Sequence, residues 1–525
     1  MPWTEPDVPR ERSRWVALHV LCVGMLMIVL DVTVVNVALP SIQDQLHFST
    51  ADLAWVVNAY LIAFGGLLLL AGRLGDLAGR RRVFLAGIAL FTLASGLCGV
   101  ADSQGMLIAA RFVQGIGGAM TSAVILGMIV TMFPAPGEQA RAIGVYAFVA
   151  SAGGAVGLLA GGVLTQVLDW HWIFFVNVPI GVVTWWAARR VLVDDQGVGL
   201  AAGADLPGAL LVTGALMLAV YTIVKPAAEQ GWGAPITLRL AALSLALAGA
   251  FVVREATAAT PLIPLGIFRS RPVSAANAIQ ILSVAGMFGM FFLGALYLRR
   301  VLGYDALEIG LAFLPATIAM GTLSVRYSER LATRWGARRV LPVGLGLIVV
   351  ALAWFARAPV DGRYLIDVLP SVLLLGLGAG VAFPTLMTVA MSGASRADAG
   401  LASGLINTAA QVGGALGLAV LATLSASRAG ALAHHESSAA ALTGGYHLAF
   451  WVAAALAAAA IAVALVVVRA PAGELAPAPT ADEPHAGEPD RHRERAVAER
   501  RAATNHRPSS RGAPPISRAR PSADR

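Results

Sequence analysis

Long apolar runs, broken by short charged or glycine-rich stretches, follow one another along the chain from Arg14 to Arg469. Each run holds about 20 residues, the length at which a helix crosses the roughly 30 Å hydrocarbon core of a bilayer. A segment in lipid must satisfy its backbone hydrogen bonds internally, and these runs have helical length rather than a two-residue alternation, which excludes a membrane barrel. The pattern predicts an all-α polytopic membrane protein with fourteen spans.

Composition supports this interpretation, since 57% of the residues are hydrophobic and only 13% are charged, unlike a soluble globular domain. The first run continues to Pro40 without an A-x-A-like cleavage site, so we interpret it as a retained span rather than a signal peptide. The two cysteines, Cys22 and Cys98, lie inside apolar runs without partners at metal-ligand spacing. We therefore expect no disulfide and no metal site.

A sequence repeat within the chain divides the spans into two halves. LGDLAGRRRV at Leu74–Val83 aligns with LATRWGARRV at Leu331–Val340, which is typical of transporters built from repeats. The central pair of spans is then an insert, and its polar residues Lys225 and Glu229 are predicted to lie in a loop. The predicted order is a cytoplasmic segment 1–14, a six-helix half 15–190, a two-helix insert 205–253, a six-helix half 273–468 and a disordered cytoplasmic tail 470–525.

The loop arginines indicate the orientation of the chain in the membrane. Most of them lie at the end that carries the N-terminus, which predicts by the positive-inside rule that both termini are cytoplasmic. The net charge of +8 comes largely from these loops and from the arginine-rich tail. It therefore reflects membrane topology and does not indicate nucleic-acid binding.

Four motifs carry a resemblance to a known family. GRLGDLAGRRR at Gly72–Arg82 resembles the signature loop of the major facilitator superfamily. Three other stretches are similar to the fourteen-span drug:proton antiporter branch, of the EmrB/QacA type: LDVTVVNVALP at Leu30–Pro40, RFVQGIGGA at Arg111–Ala119 and GGAVGLLAGG at Gly153–Gly162. The resemblance implies a major facilitator fold, acting as a monomer in a bacterial inner or plasma membrane. It also implies efflux of hydrophobic or cationic drugs or antibiotics, driven by the proton-motive force without a cofactor.

The resemblance also assigns roles to residues. It implies a conformational clamp in the first loop and an antiporter glycine ridge in the fifth span. The ridge departs from the family pattern, because Leu158 stands where proline usually follows the central glycine. The clamp residues are Gly72, Asp76, Gly79 and Arg80, and the ridge residues are Gly153, Gly157, Gly161 and Gly162.

Asp31 is a carboxylate in the middle of an apolar run. A charge in the bilayer costs at least ~2.5–3.5 kcal/mol, so it usually has a partner or a task. The family resemblance implicates Arg111 in proton coupling, but an arginine cannot release a proton. Burial favours the protonated carboxyl and a nearby guanidinium favours the charged one, so contact with Arg111 would switch Asp31 between the two. The alternative is that Asp31 only fixes helix packing.

Six further residues are predicted to line a substrate cavity: Trp55, Asn58, Tyr60, Gln114, Asn407 and Gln411. Other functions stay open at this point, namely export or uptake of a specific metabolite and a non-transporting membrane sensor. A membrane enzyme is not expected, because the chain has no interfacial cluster of His, Asp or Glu. ATP is not expected to drive transport, because the chain has no phosphate-binding G-x-x-x-x-G-K-[ST] loop.

Overall fold

The computed structural model describes residues 11–195, 197–199, 203–394 and 399–467. Within these residues, fourteen helices are long and apolar enough to cross a membrane, which confirms the predicted all-α, fourteen-span fold. The predicted tail, 470–525, and most of the predicted N-terminal segment lie outside the described residues.

The first six spans pack together as the N-terminal half. The first helix continues past Pro40, where the apolar run ends, to Leu46, because a proline inside a membrane helix removes only one backbone donor. Gly79, with a φ of 99°, forms the sharp joint between the second and third helices. The helices are α1 (Glu11–Leu46), α2 (Thr50–Ala78), α3 (Arg80–Gly99), α4 (Gln104–Met132), α5 (Pro136–Val167), α6 (Trp172–Phe175) and α7 (Asn177–Val191).

The insert is a helical hairpin formed by α8 (Leu206–Thr222), α9 (Ala228–Gln230) and α10 (Pro235–Thr257). A π-helical segment, Ile223–Ala227, joins α8 to α9 without a break. Lys225 and Glu229 therefore lie on a continuous helix, where they form an exposed pair four residues apart, and the prediction of a loop was wrong. In the insert, α8 packs on α2 and on α10.

The remaining spans form the C-terminal half. Two of its helices are extended by π-helical turns, Leu323–Tyr327 after α12 and Tyr364–Val368 before α15. The helices are α11 (Arg271–Arg300), α12 (Ala306–Thr322), α13 (Ser328–Trp335), α14 (Ala337–Phe355), α15 (Leu369–Ser392), α16 (Ala399–Leu432) and α17 (Ser438–Val467).

The same packing pattern occurs in both halves. α1 packs on α5 and α3 packs on α4, just as α11 packs on α16 and α14 packs on α15. The halves meet along two main helix pairs, α2 with α16 and α5 with α12, and α1 also touches α11. Both halves therefore contribute helices to the centre of the molecule.

We call the end at which α1 begins the proximal end and the opposite one the distal end. At the distal end the halves are in close contact: Gly162 of α5 packs on the backbone of Leu307 of α12, and Arg300 forms an ion pair with Asp44. Nearer the proximal end of α5, Gly144 has no atom within 4 Å of where a Cβ would stand, and Phe148 is exposed. The halves are thus closed against each other at the distal end.

Candidate functional site

An ion pair lies inside the N-terminal half, between α1 and α4. Arg111 Nη1 is 2.5 Å from Asp31 Oδ2, and the two side chains are 2% and 0% exposed. A charged pair this deeply buried has lost its hydration, so each member depends on the other and on nearby hydrogen bonds. The pairing that the sequence made geometrically possible is present in the structure.

Three neutral side chains complete the hydrogen bonding of the pair. Gln114, one turn after Arg111, accepts from Arg111 Nη1 at 2.6 Å and donates to Asp31 Oδ1 at 2.7 Å. Asn177 of α7 donates to the same oxygen at 3.3 Å, and Ser95 of α3 accepts from both amides. Asp31 thus receives donors from three different side chains, which stabilise its charged form.

The guanidinium of Arg111 is held on its other sides by α2 and α6. Its Nε donates to the carbonyl of Val56 at 3.0 Å. The ring of Tyr60 lies 4.5 Å from its central carbon, and the ring of Phe174 lies 5.7 Å away. Such aromatic faces attract a cation, most strongly where water is excluded. The site therefore fixes the guanidinium of Arg111 in place.

A cavity of about 200 Å³ lies between the two halves, next to α1. α1 contributes Val29, Val32, Thr33 and Asn36, and the rest of the lining comes from α5, α11, α12 and the turn after α12. The lining residues are apolar or neutral, and Thr33 and Asn36 use their polar groups on carbonyls of their own helix. The cavity therefore offers a mainly apolar surface, suited to a small hydrophobic molecule.

The cavity and the ion pair lie on opposite faces of α1. Asp31 and Thr33 are two residues apart, which places them about 200° apart around the helix. Asp31 points into the N-terminal half, whereas Thr33 faces the cavity between the halves. One helix therefore separates the charged site from the cavity.

The six residues predicted to line a substrate cavity do not line this one. The four in the N-terminal half, Trp55, Asn58, Tyr60 and Gln114, are at most 8% exposed. Of these, Gln114 and Tyr60 face the interior of that half, where they contact the ion pair instead of a substrate. On α16, Gln411 packs on Gly65 of α2, and Asn407 is exposed and bonds the carbonyl of Ser403.

The predicted clamp lies at the proximal end. Asp76 and Arg80 form an ion pair of 3.1 Å, and Arg80 also donates to the carbonyl of Gly127 and to the hydroxyl of Thr131 on α4. These contacts stay within the N-terminal half. Close packing at this corner depends on Gly75 rather than on the predicted Gly72: a Cβ at Gly75 would meet Val124 at 2.5 Å, and one at Gly72 has 4.0 Å of room.

The clamp has a partner that the sequence did not reveal. The carboxylate of Asp195, which follows α7, accepts from the backbone N–H groups of Arg80 and Arg81 at 2.8 and 3.0 Å. These are free donors at the start of α3, so Asp195 caps that helix across more than 100 residues of chain. Val198 then donates its N–H to the carbonyl of Asp76. The segment after α7 is therefore part of the clamp.

The glycine ridge of α5 forms two contacts. Gly153, Gly157 and Gly161 face α1, and a Cβ at Gly153 or Gly161 would lie 2.9 Å from Leu26 or Val34. Gly162 faces α12 of the other half, where a Cβ at this glycine would lie 2.9 Å from Leu307 Cα. The small residues thus let α5 approach α1 on one side and α12 on the other.

Among the described residues, no group of three or more His, Cys, Asp or Glu could hold a metal ion.

Comparisons with known proteins agree with this architecture. Residues 21–418 match the family model described as Major Facilitator Superfamily. The chain is 40% identical over 447 residues to the puromycin resistance protein of Streptomyces alboniger, covering 85% of this chain and 88% of that one. It is also 40% identical over 417 residues to the cephamycin export protein of Amycolatopsis lactamdurans, covering 78% and 85%.

A similar solved structure is a bacterial homologue of the human lysosomal transporter Spinster, in an inward-facing and unoccupied conformation. The TM-score is 0.64 at 16% identity, and the match covers 88% of this chain and 98% of that one. At this identity the likeness concerns the fold alone.

Proposed function

Because the chain belongs to the major facilitator superfamily, we propose that this multi-pass membrane protein is a proton-driven exporter of hydrophobic or cationic small molecules, antibiotics among them. The names of its relatives, which describe puromycin resistance and cephamycin export, support the substrate class. The observation that carries the proposal is the buried ion pair of Asp31 and Arg111, placed one helix away from a cavity between two halves.

The proposed cycle links the charge of Asp31 to the state of the two halves. With the distal end closed, Asp31 is paired and ionised, and the cavity takes its substrate from the proximal side. Opening of the distal end gives a proton access to Asp31, and the neutral carboxyl then releases Arg111. Since a buried charge without its partner costs several kcal/mol, protonation and separation of the pair must occur together. That coupling lets the proton gradient drive the conformational change.

The energy of one proton is sufficient for this work. At about 150 mV, one inward proton releases roughly 3.5 kcal/mol. This sustains a gradient of a few hundred-fold for a neutral substrate. The cycle therefore needs no cofactor beyond the proton-motive force.

We also propose an orientation and a role for the clamp. The proximal end is cytoplasmic, in agreement with the arginine-rich loops at that end. Gly72, Asp76, Gly79 and Arg80 then lie at the cytoplasmic surface, where the clamp engages the C-terminal half when the distal end opens. The protein acts as a monomer, because both halves that form the cavity belong to one chain.

Uptake into proteoliposomes with an acidic interior tests the proposal, with puromycin as the probe. We expect gradient-driven uptake by the wild type and at least about a tenfold loss in Asp31→Asn, since an amide cannot carry the proton. Downhill exchange of puromycin should survive the substitution. The control is Asp102→Asn, which changes an exposed carboxylate in the loop after α3.

Two outcomes would contradict the proposal in different ways. Unchanged dependence on the pH gradient in Asp31→Asn would show that this carboxyl only fixes helix packing. If the wild type transports no puromycin, the proposed antibiotic substrate class is wrong. The result would favour a transporter of a specific metabolite, to be identified with other probes.

A further inference from the structure

Two carboxylates meet at the proximal end of the insert, away from the site described above. Asp205 stands immediately before α8, and Glu255 lies in the last turn of α10. They are only 2% and 3% exposed. Asp205 Oδ1 accepts from the N–H of Gly208 at 3.1 Å and from Arg254 Nε at 3.0 Å. Glu255 Oε2 accepts from the N–H of Ile263 at 2.8 Å.

Among the described residues, the second oxygen of each carboxylate has no hydrogen-bond partner. Both of these oxygens face the same point: a Cβ at Gly208 would lie 2.6 Å from Asp205 Oδ2 and 2.9 Å from Glu255 Oε1. The two free oxygens are therefore at most about 5.5 Å apart. The absence of a side chain at Gly208 makes room for this approach. A buried acceptor without a donor is costly, and here two such acceptors share one space.

The local charges do not balance. Within the part of the chain that the structure describes, Arg254 is the one cation bonded to either carboxylate, and it contacts Asp205 only. From α2, Arg73 reaches the carbonyl of Gly203 at 3.4 Å rather than a carboxylate, and the residues of α2 that pack here are leucines. Two carboxylates against one guanidinium leave one negative charge in excess, in a place that excludes water.

We propose that Glu255 holds a proton and donates it from Oε1 to Asp205 Oδ2. Asp205 keeps the charge, because it caps the N-terminus of α8 and bonds Arg254, and both interactions favour a carboxylate. A single proton then supplies both free oxygens with a partner and removes the excess charge. The insert thus contains a second proton-binding site, and this inference does not depend on what the protein transports.

The shared proton affects the structure because Asp205 and Glu255 lie at the two ends of the insert. Asp205 begins the insert, Glu255 ends it, and Ile263 belongs to the linker that leads to α11. The bonds of the two carboxyls therefore join the entry of the insert to its exit. Removal of the proton would place two negative charges face to face and loosen this joint.

Infrared difference spectroscopy on the full-length protein in lipid tests the proposal. A protonated carboxyl has a C=O stretching band, shifted in D₂O, that a carboxylate lacks. We expect this band at neutral pH in the wild type, its loss by one carboxyl in Glu255→Gln, and no change in Glu229→Gln. Glu229 is the matched control, since it is an exposed carboxylate of the same insert and is paired with Lys225.

A second measurement follows the joint itself. The amide of Glu255→Gln can donate to Asp205 without titrating, so its melting temperature should hold at alkaline pH where that of the wild type falls. A wild-type spectrum identical to that of Glu255→Gln would overturn the proposal. So would a melting temperature that rises with added Na⁺ or Ca²⁺ in the wild type alone, because a cation would then neutralise the pair.

Discussion

Arg111 fills its site with a shape that a lysine does not have. One guanidinium bonds Asp31, Gln114 and the carbonyl of Val56 while its plane lies near the ring of Tyr60. A lysine ammonium is a compact charge on a flexible stem and cannot reproduce this planar fork. The identity of the cation therefore matters here as much as its charge.

Arg111→Lys should consequently reduce gradient-driven puromycin uptake at least tenfold, although the formal charge is kept. Uptake is measured in proteoliposomes and normalised to the amount of protein. Arg239→Lys is the control, because that arginine is exposed on α10. Uptake at the wild-type rate in Arg111→Lys would show that charge alone is sufficient.

At this scale the sequence predicted the charged residues of the site but not their neutral partners. Asp31 and Arg111 can be found because a charge in lipid requires an explanation. Ser95 and Asn177 carry no such signal, since hydroxyl and amide groups occur in many spans and their roles depend on which helices meet. Gln114 was assigned to the substrate cavity instead, because the sequence does not show which side chains it meets in the folded protein.

α5 meets α12 of the other half at a glycine. A side chain at Gly162 would collide with the backbone of α12, so valine there should disfavour the state closed at the distal end. We expect Gly162→Val to shift the balance toward the distally open state by about tenfold, the effect of roughly 1.4 kcal/mol. Labels on the distal ends of α5 and α12 would report it as an increased distance.

Gly144→Val is the matched control on the same helix, because a Cβ at that glycine meets nothing within 4 Å. Equal distance distributions in Gly162→Val and Gly144→Val would show that the glycine contact does not hold the distal end closed.

The number and type of helices followed from the sequence because hydrocarbon thickness fixes the length of an apolar run. Helix ends did not follow in the same way. α1 continues through Pro40, and the residues Lys225 and Glu229 lie on a helix. Whether a proline or a polar pair ends a helix depends on the segments that pack around it, which the local sequence does not show. The cap that Asp195 provides for α3 could not be predicted, because it joins positions far apart in the chain.

At the scale of the molecule, one ion pair among the described residues connects the halves at the distal end. Arg300, at the end of α11, bonds Asp44 and Gln43 near the end of α1. Both side chains of the Arg300–Asp44 pair are partly exposed, so the pair stabilises the closed state by about 0.2–1 kcal/mol. The pair can therefore bias the closed state without locking it.

Asp44→Asn should accordingly open the distal end a few-fold more often. The readout is the rate at which an impermeant maleimide, added to intact cells, labels Asn36→Cys in the cavity after Cys22 and Cys98 are replaced by alanine. The exchanged pair, Asp44→Arg with Arg300→Asp, should restore the slow rate. Fast labelling in the exchanged pair would show that the effect of Asp44→Asn is not electrostatic.

The two faces of α1 have a consequence for the evolution of resistance. Asp31 on one face meets the N-terminal half, while Val29, Thr33 and Asn36 on the other meet the cavity. Under the proposed mechanism, a bacterium exposed to a new compound can vary the cavity face and leave proton coupling at Asp31 intact. Changes in cargo range should therefore accumulate at every third or fourth position of a single helix, between neighbours that selection holds constant.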